Sequence, residues 1–181
     1  MDVRRENLRS LLNRHTPADD QERGHLESMR ALLAGPSDPF ARDHYAPGHF
    51  TASSFILSPD GSALLLIFHE KLRRWLQPGG HVEPSDASVL EAALREAREE
   101  VGLDGPELNG PGLLDVDVHE IPARKNAPAH RHFDVRFLFR APTLAFTAAS
   151  DAQAARWVGL GEIDETFSDR SVLRAVEKLR R

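Results

Sequence analysis

Residues Gly79-Gly80-His81-Val82-Glu83-Pro84-Ser85-Asp86 lead into Ala87-Ser88-Val89-Leu90-Glu91-Ala92-Ala93-Leu94 and then Arg95-Glu96-Ala97-Arg98-Glu99-Glu100-Val101-Gly102-Leu103. The first segment reads as a loop: two glycines permit backbone angles that a Cβ forbids, and Pro84 stops an early helix. The remainder reads as a helix with visible ends. Ser88 followed three residues later by Glu91 is a capping-box pattern, and Gly102 stands where a left-handed C-terminal residue is wanted. Leu90, Leu94, Ala97 and Val101 recur as one apolar stripe, which predicts the buried side. Glu96, Glu99 and Glu100 recur at i, i+3 and i+4, so three carboxylates share a neighbouring face.

Like charges at that spacing destabilise a helix by roughly 0.2–0.5 kcal/mol per pair. Glu91, Arg95 and Glu99 do form an alternating ladder, the ordinary pattern of a solvated helix. That ladder gives no reason for Glu96, Glu99 and Glu100 to converge just after a Gly-Gly loop. A hard divalent cation does: Mg2+ takes oxygen ligands from one or a few carboxylates together with substrate phosphates. Loop carbonyls can add to the same shell.

Gly80, five residues, an acid, a spacer and then Arg-Glu-x-x-Glu-Glu-x-Gly-aliphatic resembles the Nudix box, the loop-helix signature of Nudix hydrolases. The resemblance implies a divalent-metal-dependent hydrolase, a pyrophosphohydrolase that cleaves a nucleoside diphosphate linked to another moiety by water attack at phosphorus. It implies that Glu96, Glu99 and Glu100 bind Mg2+ or Mn2+ or position the water, that the Gly80 carbonyl completes the metal shell, and that Arg95 orients the carboxylates. The implied fold is an α/β/α sandwich around a mixed sheet. Three positions depart from the pattern. Asp86 replaces the usual Glu, eight residues rather than seven separate it from Arg95, and Ala97 replaces a bulky aliphatic. Two other readings share the fold. An isopentenyl-diphosphate-isomerase-like enzyme relies on an active-site cysteine, which this chain lacks. A non-catalytic nucleotide-sensing Nudix domain usually loses box carboxylates, and here all three stand.

Around this motif the chain reads as an N-terminal helical extension, residues 1–50, followed by what the resemblance implies is a Nudix hydrolase domain, residues 51–181. In the extension, Leu8, Leu11 and Leu12 mark one short helix. Thr16-Pro17 reads as the start of a second, carrying Leu26, Met29, Leu32 and Leu33 and ending at Gly35-Pro36. Residues 51–57, 63–69, 113–121, 133–139 and 156–158 read as strands, with Phe133, Val135, Phe137 and Phe139 on one face. Val172, Leu173, Val176 and Leu179 mark a final helix. A net charge of −5 does not favour a nucleic-acid partner, so the expected partner is a small nucleotide or other diphosphate, bound by a monomer or homodimer. No apolar run is long enough to span a bilayer, no signal peptide opens the chain, and cysteine is absent. The expectation is a cytoplasmic protein.

Outside the box the candidates are fewer. His130 and His132 stand two apart before a strand, so they can point the same way; a zinc site would need a third ligand that no recognisable spacing supplies. Arg124, His130, His132 and Arg136 are candidate substrate contacts, set against a reading as solvated loop and outward strand face. Trp75 reads as a core anchor or a base-stacking group. Glu120, or else Asp115 or Asp117, is a candidate for an extra carboxylate beyond the box.

Overall fold

In the computed structural model, which describes residues 2–103, 105–147 and 154–180, each α-helix opens on a side chain that accepts from its first turn. Asp2 caps α1 (Val3–Arg14), Asp19 caps α2 (Asp20–Ala34), Ser88 caps α3 (Val89–Val101) and Asp169 caps α4 (Arg170–Leu179). The second helix is therefore capped by Asp19 and not by Thr16. A carboxylate reaching the Glu22 N–H at 2.7 Å satisfies a donor that the helix leaves open.

Among the described residues, eight strands form one curled mixed sheet: β1 (Gly48–Leu57), β2 (Ala63–His69), β3 (Arg74–Leu76), β4 (Gly79–His81), β5 (Glu107–Leu108), β6 (Asp115–Ile121), β7 (His130–Arg140) and β8 (Ala155–Gly159). At its centre β1 runs parallel to β7, from Gly48 opposite Arg131 to Leu57 opposite Arg140. The other edge of β1 is shared. Its first half pairs antiparallel with β4 and its last residues with β2, while β6 and β5 pair with β7, and β3 and β8 with β2. Two expectations change here. The glycine segment belongs to a strand, and the short pair β5 goes unannounced in the sequence.

Alternation along β1 and β7 sorts the core. Phe50, Ala52 and Ile56 join Phe133, Val135, Phe137 and Phe139 in a cluster that α1, α2 and α3 complete. Phe55, Leu57, Leu64, Leu66 and Val158 face α4 through Val172, Ala175 and Val176. Helices thus cover both sides of a mixed sheet. The N-terminal hairpin is part of the core: Leu8, Leu12, Leu26, Met29 and Leu33 are buried, each contributing about 1.5–3 kcal/mol over an exposed position.

The buried side of α3 is rotated from the expected stripe. Val89, Ala92, Ala93, Ala97 and Val101 are buried, while Leu90 and Leu94 flank the contact. Small residues along the centre let the helix approach β1 closely enough for the Ser54 hydroxyl to donate to the Ala93 carbonyl at 2.8 Å. That approach fixes how far the helix carboxylates stand from β4.

Candidate active site

Gly79 and Gly80 have extended backbones in β4, so their use is space and not left-handed geometry. A Cβ on Gly79 would lie 2.4 Å from Ser53 Oγ, and one on Gly80 would lie 2.4 Å from Glu96 Oε1. Both contacts are far inside van der Waals range. The bare strand lets the helix carboxylates reach it: Gly79 N–H donates to Glu100 Oε2 at 2.9 Å.

Arg95 joins the loop to the helix. Its Nε and one terminal nitrogen each donate to Asp86 at 3.0 Å, in a two-pronged pair. The other terminal nitrogen reaches Glu96 at 2.9 Å and Glu99 at 3.0 Å, and the His81 carbonyl accepts at 2.8 Å. Asp86 also accepts from Glu83 N–H at 2.8 Å, which closes the loop turn. The shorter acid and the inserted residue therefore still deliver a carboxylate to Arg95. Burial alone would raise the Asp86 pKa, but the Arg95 guanidinium outweighs it and holds the carboxyl low. At Glu96 burial wins, with Glu99 and Glu83 adding to it, and the carboxyl is pushed up despite Arg95. Glu99 is exposed. Carboxylates of differing basicity thus gather beside two glycines of β4, a donor set that fits a hard divalent cation.

The groups singled out beyond the box fare differently. Arg136 does not face a phosphate. It is 2% exposed, donating to Asp134 at 2.8 Å, Asp115 at 3.1 Å and Ser171 Oγ at 2.8 Å. The physical reason is parity: the residues of β7 between its apolar ones turn toward α4, where carboxylates await. Asp115 and Asp117 belong to the same network, held by Arg174 at 2.8 and 3.0 Å, so neither is available as an extra base. Of the three carboxylate candidates Glu120 alone is exposed. Arg124 is exposed on the turn before β7, where its N–H donates to Ala127 O at 2.8 Å. Trp75 stacks on Phe167 at 5.7 Å with Arg156 over its ring, an anchor between β3 and the segment before α4.

Sequence reading missed the neighbours of His130 and His132. On the sheet face away from α3, His49 stands opposite His132 in the β1–β7 register, and His81 follows from β4. Ring centroids lie 4.9 Å apart for His49 and His132, and 5.1 Å for His49 and His81. Burial, with neighbouring cationic groups adding to it, lowers all three pKa values, to about 4 for His81 and about 2 for His132. The parity of His49, Thr51 and Ser53 was the available signal; the pairing that unites it with the others is tertiary. A separate cavity of about 360 Å³ opens between α2 and the start of β7, bordered by Leu32, His44, Pro47 and Arg131. It shares no residue with the Arg95 constellation.

The model of the NUDIX domain matches residues 48–176. A probable DHNTP pyrophosphohydrolase from Lactococcus lactis subsp. cremoris is 31% identical over 140 residues, covering 74% of this chain and 77% of that protein. An asymmetrical bis(5'-nucleosyl)-tetraphosphatase from Sus scrofa is 47% identical, but over 45 residues, 25% of this chain and 30% of that one. Among solved structures, the E. coli dihydroneopterin triphosphate pyrophosphohydrolase superposes with a TM-score of 0.55 at 17% identity, covering 71% of this chain and 92% of that one. That last likeness is one of fold. The domain match spans most of the chain and takes in β1, β4 and α3, the elements that assemble the Arg95 constellation, so this protein belongs to the Nudix family of hydrolases.

Proposed function

We propose that the chain hydrolyses the diphosphate linkage of a nucleotide-type substrate, with Mg2+ or Mn2+ held by Glu96, Glu99, Glu100 and the Gly80 carbonyl. The observation that carries this reading is the Arg95 hub, which gathers Asp86, Glu96 and Glu99 beside Gly80. A bound divalent ion would neutralise the bridging and leaving oxygens and lower the pKa of the attacking water. The protein's own groups do the rest. Arg95 occupies Glu96 Oε1, which leaves Oε2 to take the proton from water; a carboxyl already pushed up by burial suits that task. Glu100, anchored by Gly79 N–H, keeps helix and strand at a constant separation. Arg124 and His130 are the groups we assign to the substrate side, and Glu120 is the carboxylate we assign to any base beyond the box.

The substrate class we favour is a triphosphate carried by a nucleoside or a related bicyclic base. The Lactococcus relative supports it, because that likeness runs over most of both chains. The tetraphosphatase likeness covers too short a segment to argue for a dinucleotide. The test is a panel of nucleoside triphosphates, dihydroneopterin triphosphate, dinucleoside polyphosphates and nucleotide sugars, with Mg2+ or Mn2+, in 18O-labelled water. We expect release of phosphate or pyrophosphate with the label on a phosphorus-bearing product. Glu99→Gln and Glu100→Gln should fold and lose turnover by about 100-fold or more. Wild-type turnover in either variant would remove the metal assignment, and isomerisation of a diphosphate without phosphate release would remove the hydrolytic one.

A further inference from the structure

We propose that His49, His81 and His132 form a second metal site, a three-imidazole centre for a divalent transition ion, with Zn2+ as its match. One ligand nitrogen from each ring lies within 4.8 Å of the other two. The three come from three adjacent strands, β4, β1 and β7, on the sheet face away from α3. Tetrahedral Zn2+ with Zn–N of about 2.0–2.1 Å needs ligand nitrogens about 3.4 Å apart. The rings therefore have to close by at most about 1.5 Å, a movement that small side-chain rotations supply.

A second observation points to a ligand. His49 is 1% exposed and its Nε2 is buried with no hydrogen-bond partner among the described residues. Its other nitrogen lies 3.3 Å from the His44 carbonyl. A backbone carbonyl accepts only, so Nδ1 carries the hydrogen and Nε2 is left with a free lone pair. That is the arrangement in which metal-binding histidines are held, one nitrogen donating to a carbonyl and the other ligating. A stack of imidazoles without an ion leaves this nitrogen unexplained, since buried polar atoms are almost always satisfied.

The donor set also separates this centre from the box. Three nitrogens and no carboxylate suit Zn2+ and its transition-metal neighbours and disfavour Mg2+, whereas Glu96, Glu99 and Glu100 offer only oxygen. Three protein ligands leave a fourth position for water or a substrate oxygen. Because His81 follows Gly80, an ion here would tie the three-residue strand β4 to β1 and β7.

The full-length chain, stripped with a chelator, is titrated with Zn2+ and with Co2+ as a spectroscopic probe, and bound metal is counted by elemental analysis. The wild type should bind one Zn2+ per chain, melt higher in Zn2+ than in Mg2+, and give visible Co2+ absorption of a low-coordinate nitrogen site. Glu96→Gln with Glu99→Gln should keep that ion, while His132→Asn should weaken it by about 100-fold or more. His81→Asn, at a half-buried position, probes the same site should His132→Asn fail to fold. Equal Zn2+ uptake by the wild type and the histidine variants would overturn the site, as would its loss in the carboxylate variant. Zn2+ retention in the carboxylate variant, with no hydrolysis of any phosphoanhydride by the wild type, would leave this site standing and remove the proposed function instead.

Discussion

Gly80 shows how narrow the tolerances of the site are. A single added methyl would meet Glu96 Oε1 at 2.4 Å and Oε2 at 2.7 Å. The carboxylate would have to leave, taking its bond to Arg95 with it. Gly80→Ala should therefore fold, since the strand backbone is extended, and should lose about 100-fold in turnover through a displacement of about an ångström. Circular dichroism beside steady-state kinetics checks both halves; wild-type kcat/KM would show that Glu96 has no fixed place. Arg95 is equally particular. Its five donors span Asp86, Glu96, Glu99 and the His81 carbonyl, a fork that the ammonium of lysine cannot reproduce.

Helix α3 sets the distance between its carboxylates and the glycine strand by the small residues beneath it. Ala92, Ala93 and Ala97 are fully buried, and the Ala93 carbonyl accepts from Ser54. Larger side chains there lift the helix from β1. We expect Ala93→Leu to destabilise the protein by about 1–3 kcal/mol, measured by urea unfolding, and to lower turnover because the carboxylates move with the helix. The helix ends are independent of that contact. Ser88 accepts from Glu91 N–H at its start, and Gly102 adopts φ 54° at its end, so melting of the isolated ends should change little.

Across the whole molecule, Glu22 locks the N-terminal hairpin to the opposite layer. It is fully buried, meeting His15 at 2.7 Å, Lys178 of α4 at 2.5 Å and the Val116 N–H of edge strand β6 at 3.3 Å. Lys178 is shared with Asp115 at 2.7 Å. Burial would raise the Glu22 pKa, but the bonds from His15, Ala18 N–H and Lys178 prevail and depress it well below its ordinary 4.5. A depressed carboxyl contributes stability that is complete above its unfolded value and is lost as pH falls through the folded one. Glu22→Gln should thus cost on the order of 3 kcal/mol at pH 7, where it strands part of the Lys178 charge. Its deficit in melting temperature against the wild type should shrink progressively as pH drops below about 4.5. A deficit constant from pH 7 to pH 3 would mean that the carboxylate's charge does no work there.

The box helix, its cap and its left-handed end were legible because they depend on residues within one turn of each other, as were the alternating phenylalanines of β7. The Nudix family, with its loop and carboxylates, was legible for the same reason: its motif is continuous in the chain. The stripe of α3 was misjudged by one position, because large apolar residues were taken as the centre of a contact that close packing assigned to alanines. Arg136 looked like a substrate contact or an outward strand-face group, and Arg174 carries no local signal of its place. Only the β6–β7 pairing and the seat of α4 surround them with Asp115, Asp117 and Asp134, and an ion pair across layers leaves no mark in sequence spacing. His49, His81 and His132 lie at unrelated intervals along the chain and become neighbours through two strand registers. Local order thus followed from the sequence alone. What meets across strands and layers was decided by the tertiary fold, since registers and layer contacts depend on every buried residue at once.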